Sequence, residues 1–175
     1  MYMEKYVPDM YQKNIYDINY QKLLNQGIKC LMFDLDNTLV APSIKKPTEE
    51  VENLFKKLKK MGFRVIIFSN SPKKRVKPFK EGLEVDCSAS SRKPFKKKFL
   101  KVLSFYNYTI TEVAIIGDQI LTDVVGGNKI GILTVLVDPV SKRDMILTKF
   151  NRIVEKIIIR KLSKKSLFIK GKYYE

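Results

Sequence analysis

Asp34 and Asp36 stand two residues apart in the segment Asp34-Leu35-Asp36-Asn37-Thr38-Leu39, directly behind the apolar residues 30–33. Two carboxylates leaving a buried segment are costly unless they pair with cations or bind a metal. An acidic turn capping a helix accounts for either acid alone, but poorly for both. Further polar groups follow at equivalent places. Ser69 closes the apolar run 64–68, Lys93 precedes Pro94, and Gly117-Asp118 closes the run 113–116, with Asp123 beyond it. Each has a plainer reading: Ser69 and Asp123 can cap helices, and Lys93 sits near Lys96, Lys97 and Lys98, which read as a solvated face. The chain has no histidine, which excludes Ser-His-Asp and Cys-His mechanisms. Cys30 and Cys87 form no CxxC, so structural zinc is not expected and both read as reduced thiols. Catalysis is left to Asp, Glu, Lys, Ser or a metal.

The elements that must position these groups alternate along the 175 residues. Residues 18–26 read as a short helix, with Asp17 as a cap and Gly27 as its stop. Residues 29–34 form a buried strand, and 48–61 a helix capped by Thr48, with acids in its first turn and lysines in its last. Strands at 64–68, 83–87, 113–116 and 134–137 alternate with helices at 73–81, 95–106 and 122–130. Gly126, Gly127 and Gly131 are expected to loosen the last of these helices. This rhythm predicts an α/β fold: a three-layer, doubly wound, mostly parallel five-stranded sheet. Such sheets carry their site at the carboxyl ends of the strands, where Asp34, Asp36, Ser69 and Asp118 fall. The expected division is a leader with a short helix at 1–27, a core at 28–140, and a basic amphipathic helix and tail at 141–175.

Taken together, the motifs resemble those of the haloacid dehalogenase (HAD) superfamily, subfamily IIIA. DxDxT is met by Asp34, Asp36 and Thr38, the second motif by Ser69, the third by Lys93, and GDxxxxD by Gly117, Asp118 and Asp123. Four motifs in register are far more specific than any one of them. The resemblance spans roughly residues 28–138 and implies a Rossmannoid, Mg²⁺-dependent phosphatase. It implies Asp34 as nucleophile, Asp36 as general acid and base, and Lys93 neutralising charge and holding the nucleophile. Ser69, Asn70 and Thr38 are implied for the substrate phosphate. The metal is implied to be held by Asp34, the Asp36 carbonyl, Asp118 and Asp123, the last directly or through water. An acid at Asp36 marks phosphatases rather than dehalogenases in that superfamily. The intervals 36–69 and 69–93 are too short for a cap domain, which points to a large substrate.

The chain is similar to the YqeG-like subgroup, which includes the mitochondrial phosphatidylglycerophosphate phosphatases. Pro8-Asp9, Ile15-Tyr16-Asp17-Ile18, Gly27-Ile28-Lys29, Ser69-Asn70-Ser71, Gly117-Asp118-Gln119 and Thr122-Asp123 carry this likeness. It implies dephosphorylation of phosphatidylglycerophosphate at a membrane surface. The formal net charge of +16 favours anionic partners, although a base composition that enriches Lys, Asn, Ile and Tyr would produce it too. From 144 to 162, Ile146, Phe150, Ile153, Val154, Ile157 and Ile158 recur at helical spacing, with Lys149, Arg152, Lys156, Arg160 and Lys161 largely elsewhere. That pattern fits either a helix packed on the sheet or a membrane-surface helix. Two rival functions stay open: a phosphatase for nucleic acid ends or soluble esters, and a non-catalytic RNA- or ribosome-associated module. With no signal-peptide pattern and no apolar run long enough to span a bilayer, the expected location is the cytoplasm, with peripheral attachment to the inner membrane face.

Overall fold

The computed structural model describes the backbone of residues 3–141 and 146–175, with side chains outside 146–150. Its strands are β1 (Met10–Gln12), β2 (Cys30–Phe33), β3 (Arg64–Phe68), β4 (Asp86–Ser88), β5 (Val113–Gly117) and β6 (Leu133–Val137). Its α-helices are α1 (Tyr20–Asn25), α2 (Glu49–Lys60), α3 (Lys73–Leu83), α4 (Lys96–Tyr106), α5 (Val125–Ile130) and α6 (Ile146–Lys164). The sheet has six strands rather than five, in the order β1-β6-β5-β2-β3-β4, and every pairing is parallel. No cap domain interrupts it among the described residues.

The sixth strand comes from the leader. Its three residues are too few to show a period, yet Met10, Tyr11 and Gln12 are all buried against β6. The backbone of Tyr174 bonds the N–H and C=O of Tyr11 from the other side, so this sheet edge is covered.

Strand residues alternate between two cores, as a pleated sheet requires. Leu31, Phe33 and Ile67 pack with Val51, Phe55 and Leu58 of α2 and Phe79 of α3. Cys30, Met32, Ile66 and Phe68 pack with Phe99 and Leu103 of α4 on the opposite face. Thr48 caps α2 as expected, whereas α1 is capped by Asn19 rather than Asp17, through a 3.1 Å bond from the Lys22 N–H.

The stretch expected as one helix at 122–130 is a π-helical turn, Ile120–Val124, followed by α5. Gly126 and Gly127 do not loosen it. A Cβ at Gly126 would lie 2.9 Å from the Phe99 ring, and one at Gly127 2.4 Å from Thr134 Cγ2. They let α5 approach its neighbours closely.

Helix α6 packs on the fold. Ile158 and Leu162 are buried with Tyr11, Ile120, Val124, Leu136 and Phe168, while Ile153 and Ile157 remain exposed. Asp144 and the side chains of Ile146, Lys149 and Phe150, also assigned to this pattern, lie outside the described residues. Among the described residues no helix is long and apolar enough to cross a membrane.

Candidate active site

The chain leaves β2 toward β3 on one side and returns through β5 on the other, so the strand order reverses between β2 and β5. That reversal opens a crevice at the carboxyl ends of the two strands. Asp34 follows β2 and Asp118 follows β5, and the register brings them together: Phe33 pairs with Ile116, and the Asp34 N–H donates to the Ile116 carbonyl at 2.9 Å. Asp123 joins them from the π-helical turn. It approaches so closely that a Cβ at Gly117 would lie 2.2 Å from Asp123 Cγ, which accounts for glycine before Asp118.

Carboxylate oxygens of Asp34, Asp118 and Asp123 lie within 4.8 Å of one another, and all three residues are buried. Lys93, buried too, donates from Nζ to Asp34 Oδ1 and Asp123 Oδ1, each at 2.6 Å. The Thr38 hydroxyl donates to Asp118 Oδ1 at 3.2 Å. Burial pushes the Asp34 carboxyl up to about 6 against the pull of Lys93. Burial likewise pushes Asp118 up to about 8 against the pull of Arg152. Raised values in a cleft mark carboxyls whose burial, helped by their acidic neighbours, outweighs what local cations offset. An all-oxygen donor set with surplus negative charge suits a divalent cation.

The other expected residues surround this cluster. The Asp36 carboxylate has partners of its own: Oδ2 accepts from the Ser71 hydroxyl at 2.5 Å, and Oδ1 from Arg75 Nε at 3.0 Å and Nη2 at 2.7 Å. Ser69 is buried, and its hydroxyl accepts the Ser71 N–H at 3.1 Å. The Asn70 side chain bonds the Lys93 backbone in both directions, at 2.7 and 3.2 Å, and so fixes the segment that carries Lys93.

Ser71, Arg75, Arg152 and Glu155 were not singled out as site residues from sequence. Arg152 reaches from α6 to donate to the Asp118 carboxylate and, at 3.0 Å, to the Asp118 carbonyl. Glu155, itself buried, accepts from Arg152 at 3.1 Å and from the Leu121 N–H at 3.0 Å. One local signal did exist: Glu155 is the only acid between 151 and 164, three residues after Arg152 in an otherwise basic helix.

The family model for mitochondrial PGP phosphatase matches residues 2–141. The chain belongs to that family. The curated relatives of this family member include "Probable phosphatase YqeG" of Bacillus subtilis (strain 168), 39% identical over 160 residues that cover 91% of this chain and 93% of that one. The phosphatidylglycerophosphate phosphatase 1, chloroplastic/mitochondrial, of Arabidopsis thaliana is 28% identical over 162 residues, covering 79% of this chain and 42% of the plant protein. Among solved structures, the cobalt-bound deoxy-D-mannose-octulosonate 8-phosphate phosphatase of Haemophilus influenzae superposes with a TM-score of 0.53 at 18% identity, covering 85% of this chain and 95% of that one. That likeness is one of fold. The family member is a YqeG-like phosphatase of the HAD type, with a buried aspartate triad fit to hold a divalent metal.

Proposed function

We propose that the protein removes the terminal phosphate of phosphatidylglycerophosphate at a membrane surface, leaving phosphatidylglycerol, with Mg²⁺ as its metal. The observation that carries the chemistry is the buried Lys93 ammonium shared by Asp34 and Asp123, with Asp118 alongside. Asp34 attacks phosphorus, and the ester oxygen leaves as an aspartyl-phosphate forms. Asp36, held by Ser71 and Arg75 outside the acid cluster, gives the leaving oxygen its proton. It then takes a proton from the water that hydrolyses the intermediate. Lys93 keeps Asp34 in position and balances charge on the phosphoryl oxygens. Ser69 and the Asn70 backbone bond those oxygens, and Thr38 orients Asp118. Asp34, the Asp36 carbonyl, Asp118 and Asp123 would hold Mg²⁺, which when bound supplies the positive charge that phosphoryl transfer needs. In this reading residues 28–140 carry the chemistry, and 1–27 and 141–175 brace it.

Three features support the lipid substrate: the activity for which the plant relative is named, a site without a cap domain, and the net charge of +16. The test is phosphate release with Mg²⁺ from phosphatidylglycerophosphate in mixed micelles, a 3′-phosphorylated oligonucleotide and a panel of sugar phosphates. Preference for the lipid, abolished by Asp34→Asn and by chelator, is expected. Turnover of the soluble substrates alone would remove the lipid from the assignment.

A further inference from the structure

Beside the acid cluster lies a groove of about 470 Å³ for which the reaction has no use. One wall is the loop behind β2, with Leu39, Val40 and Ile44; the other is Val140 in the loop behind β6; Ile15 and Tyr16 of the leader complete it. Thr38 lines it too, and its hydroxyl bonds Asp118, so one residue links the groove wall to the acid cluster. The two walls are joined through Asn37, which adopts a left-handed conformation with φ 66°. Its carbonyl accepts the Val140 N–H at 2.9 Å and its side chain the Ser141 N–H at 3.1 Å. The groove is therefore preformed, and its volume falls in the usual range of ligand sites, roughly 300–1,000 Å³.

Its rim is apolar and open to solvent: Tyr16, Ile44 and Val140 are 50%, 39% and 54% exposed. Lys13 lines it, and Lys45 and Lys46 are exposed next to Ile44. Of the acids nearby, Asp138 is engaged by the hydroxyls of Tyr11 and Tyr173 at 2.6 and 2.7 Å, and Glu50 acts on Tyr16 from the start of α2. Asp17 and Glu49 are exposed at the leader end of the rim. Exposed apolar side chains flanked by Lys13, Lys45 and Lys46 match the chemistry of an anionic bilayer, where the first enter the acyl boundary and the second meet lipid phosphates.

Resting on the lipid reading above, we propose that this rim is the face that docks on an anionic bilayer. The groove receives the apolar end of the lipid whose phosphate enters the acid cluster. A substrate held this way need not leave the membrane, since only Thr38 separates the groove from the acid cluster.

The test is co-sedimentation with vesicles of phosphatidylglycerol and phosphatidylcholine. It compares the wild type, a rim variant Lys45→Glu/Lys46→Glu outside the groove lining, and a charge-matched control on α4, Lys97→Glu/Lys101→Glu. The rim variant is expected to bind about tenfold more weakly than either, while its hydrolysis of para-nitrophenyl phosphate stays within about twofold of wild type. Equal binding by the rim variant, an equal loss in the control, or no binding by the wild type would each overturn the docking face. Failure of the wild type to release phosphate from phosphatidylglycerophosphate in the same vesicles would instead sink the lipid substrate, and the binding comparison would still judge the face.

Discussion

Replacing Lys93 by methionine tests the electrostatic reading of the site most directly. The Lys93 side chain is 1% exposed and lies 2.6 Å from both Asp34 and Asp123. At an effective dielectric constant of about 20, each contact has a gross attraction of about 6 kcal/mol. Desolvation of the buried ions cancels much of that, and removing one partner of a buried pair typically costs about 3–5 kcal/mol. Methionine keeps the length and the packing of the stem, so the loss is electrostatic and leaves two carboxylates facing each other. For a chain of this size about 4 kcal/mol corresponds to a fall in Tm of roughly 8–16 °C. The assay is urea unfolding in chelator of wild type, Lys93→Met, Asp123→Asn and the double variant. The expected outcome is a Lys93→Met cost that shrinks by at least about 1.5 kcal/mol in the Asp123→Asn background, with an unchanged m-value. A cost below about 1 kcal/mol, or additive single changes, would refute the claim that Lys93 holds the acids together.

Arg152→Met should lower stability by about 2–3 kcal/mol in the same assay, because it removes the cation shared by the buried Asp118 and Glu155 carboxylates; Arg152→Lys should restore only part, lacking the planar fork. Gly117→Ala should cost about 1–3 kcal/mol and reduce phosphate release, since its methyl group must displace the Asp123 carboxylate. Burial pushes the Cys30 thiol up to about 12, so iodoacetamide should label the half-buried Cys87 first in native protein, and both only in urea, as read by mass spectrometry. Glu112 is held at about 2, below its ordinary 4.5, by the Lys29 ammonium and then by Thr109. Its folded value is the lower one, so its contribution is complete above about 4.5 and is lost as pH falls toward about 2. Glu112→Gln should therefore lower Tm modestly in the neutral region, leave it unchanged near the acid end, and so flatten the acid limb of a plot of Tm against pH.

The acid cluster was legible in sequence because each member terminates or closely follows a buried apolar run, and parallel strands bring such ends to one edge. Asp34, Asp118 and Asp123 needed only the strand order to meet. Arg75 and Arg152 were not legible, because a basic residue on an amphipathic helix looks the same whether it meets water, lipid or a buried carboxylate. Only the tertiary packing of α3 and α6 separates those cases. β1 escaped for a different reason. Three residues cannot display a period of two, and its burial depends on β6 on one side and Tyr174 on the other, both far away in the chain. The glycines of α5 were read by propensity as weak points, whereas their contacts with Phe99 and Thr134 make them packing positions.

The cations divide the acids among themselves. Lys93, ahead of α4, takes Asp34 and Asp123; Arg75 of α3 takes Asp36; Arg152 of α6 takes Asp118. Buried like charges at this spacing would drive the loops behind β2 and β5 apart; Lys93 bridges the two through Asp34 and Asp123, while Arg75 ties Asp36 to α3 and Arg152 ties Asp118 to α6. Asp36 is thereby kept apart from the triad although it lies only two residues from Asp34. Two carboxylates from one short loop thus have different partners, which agrees with the separate roles proposed for them. The tie to Asp118 comes from beyond residue 141, where the family match ends, so a segment outside that match still bears on the acid at the centre of the site.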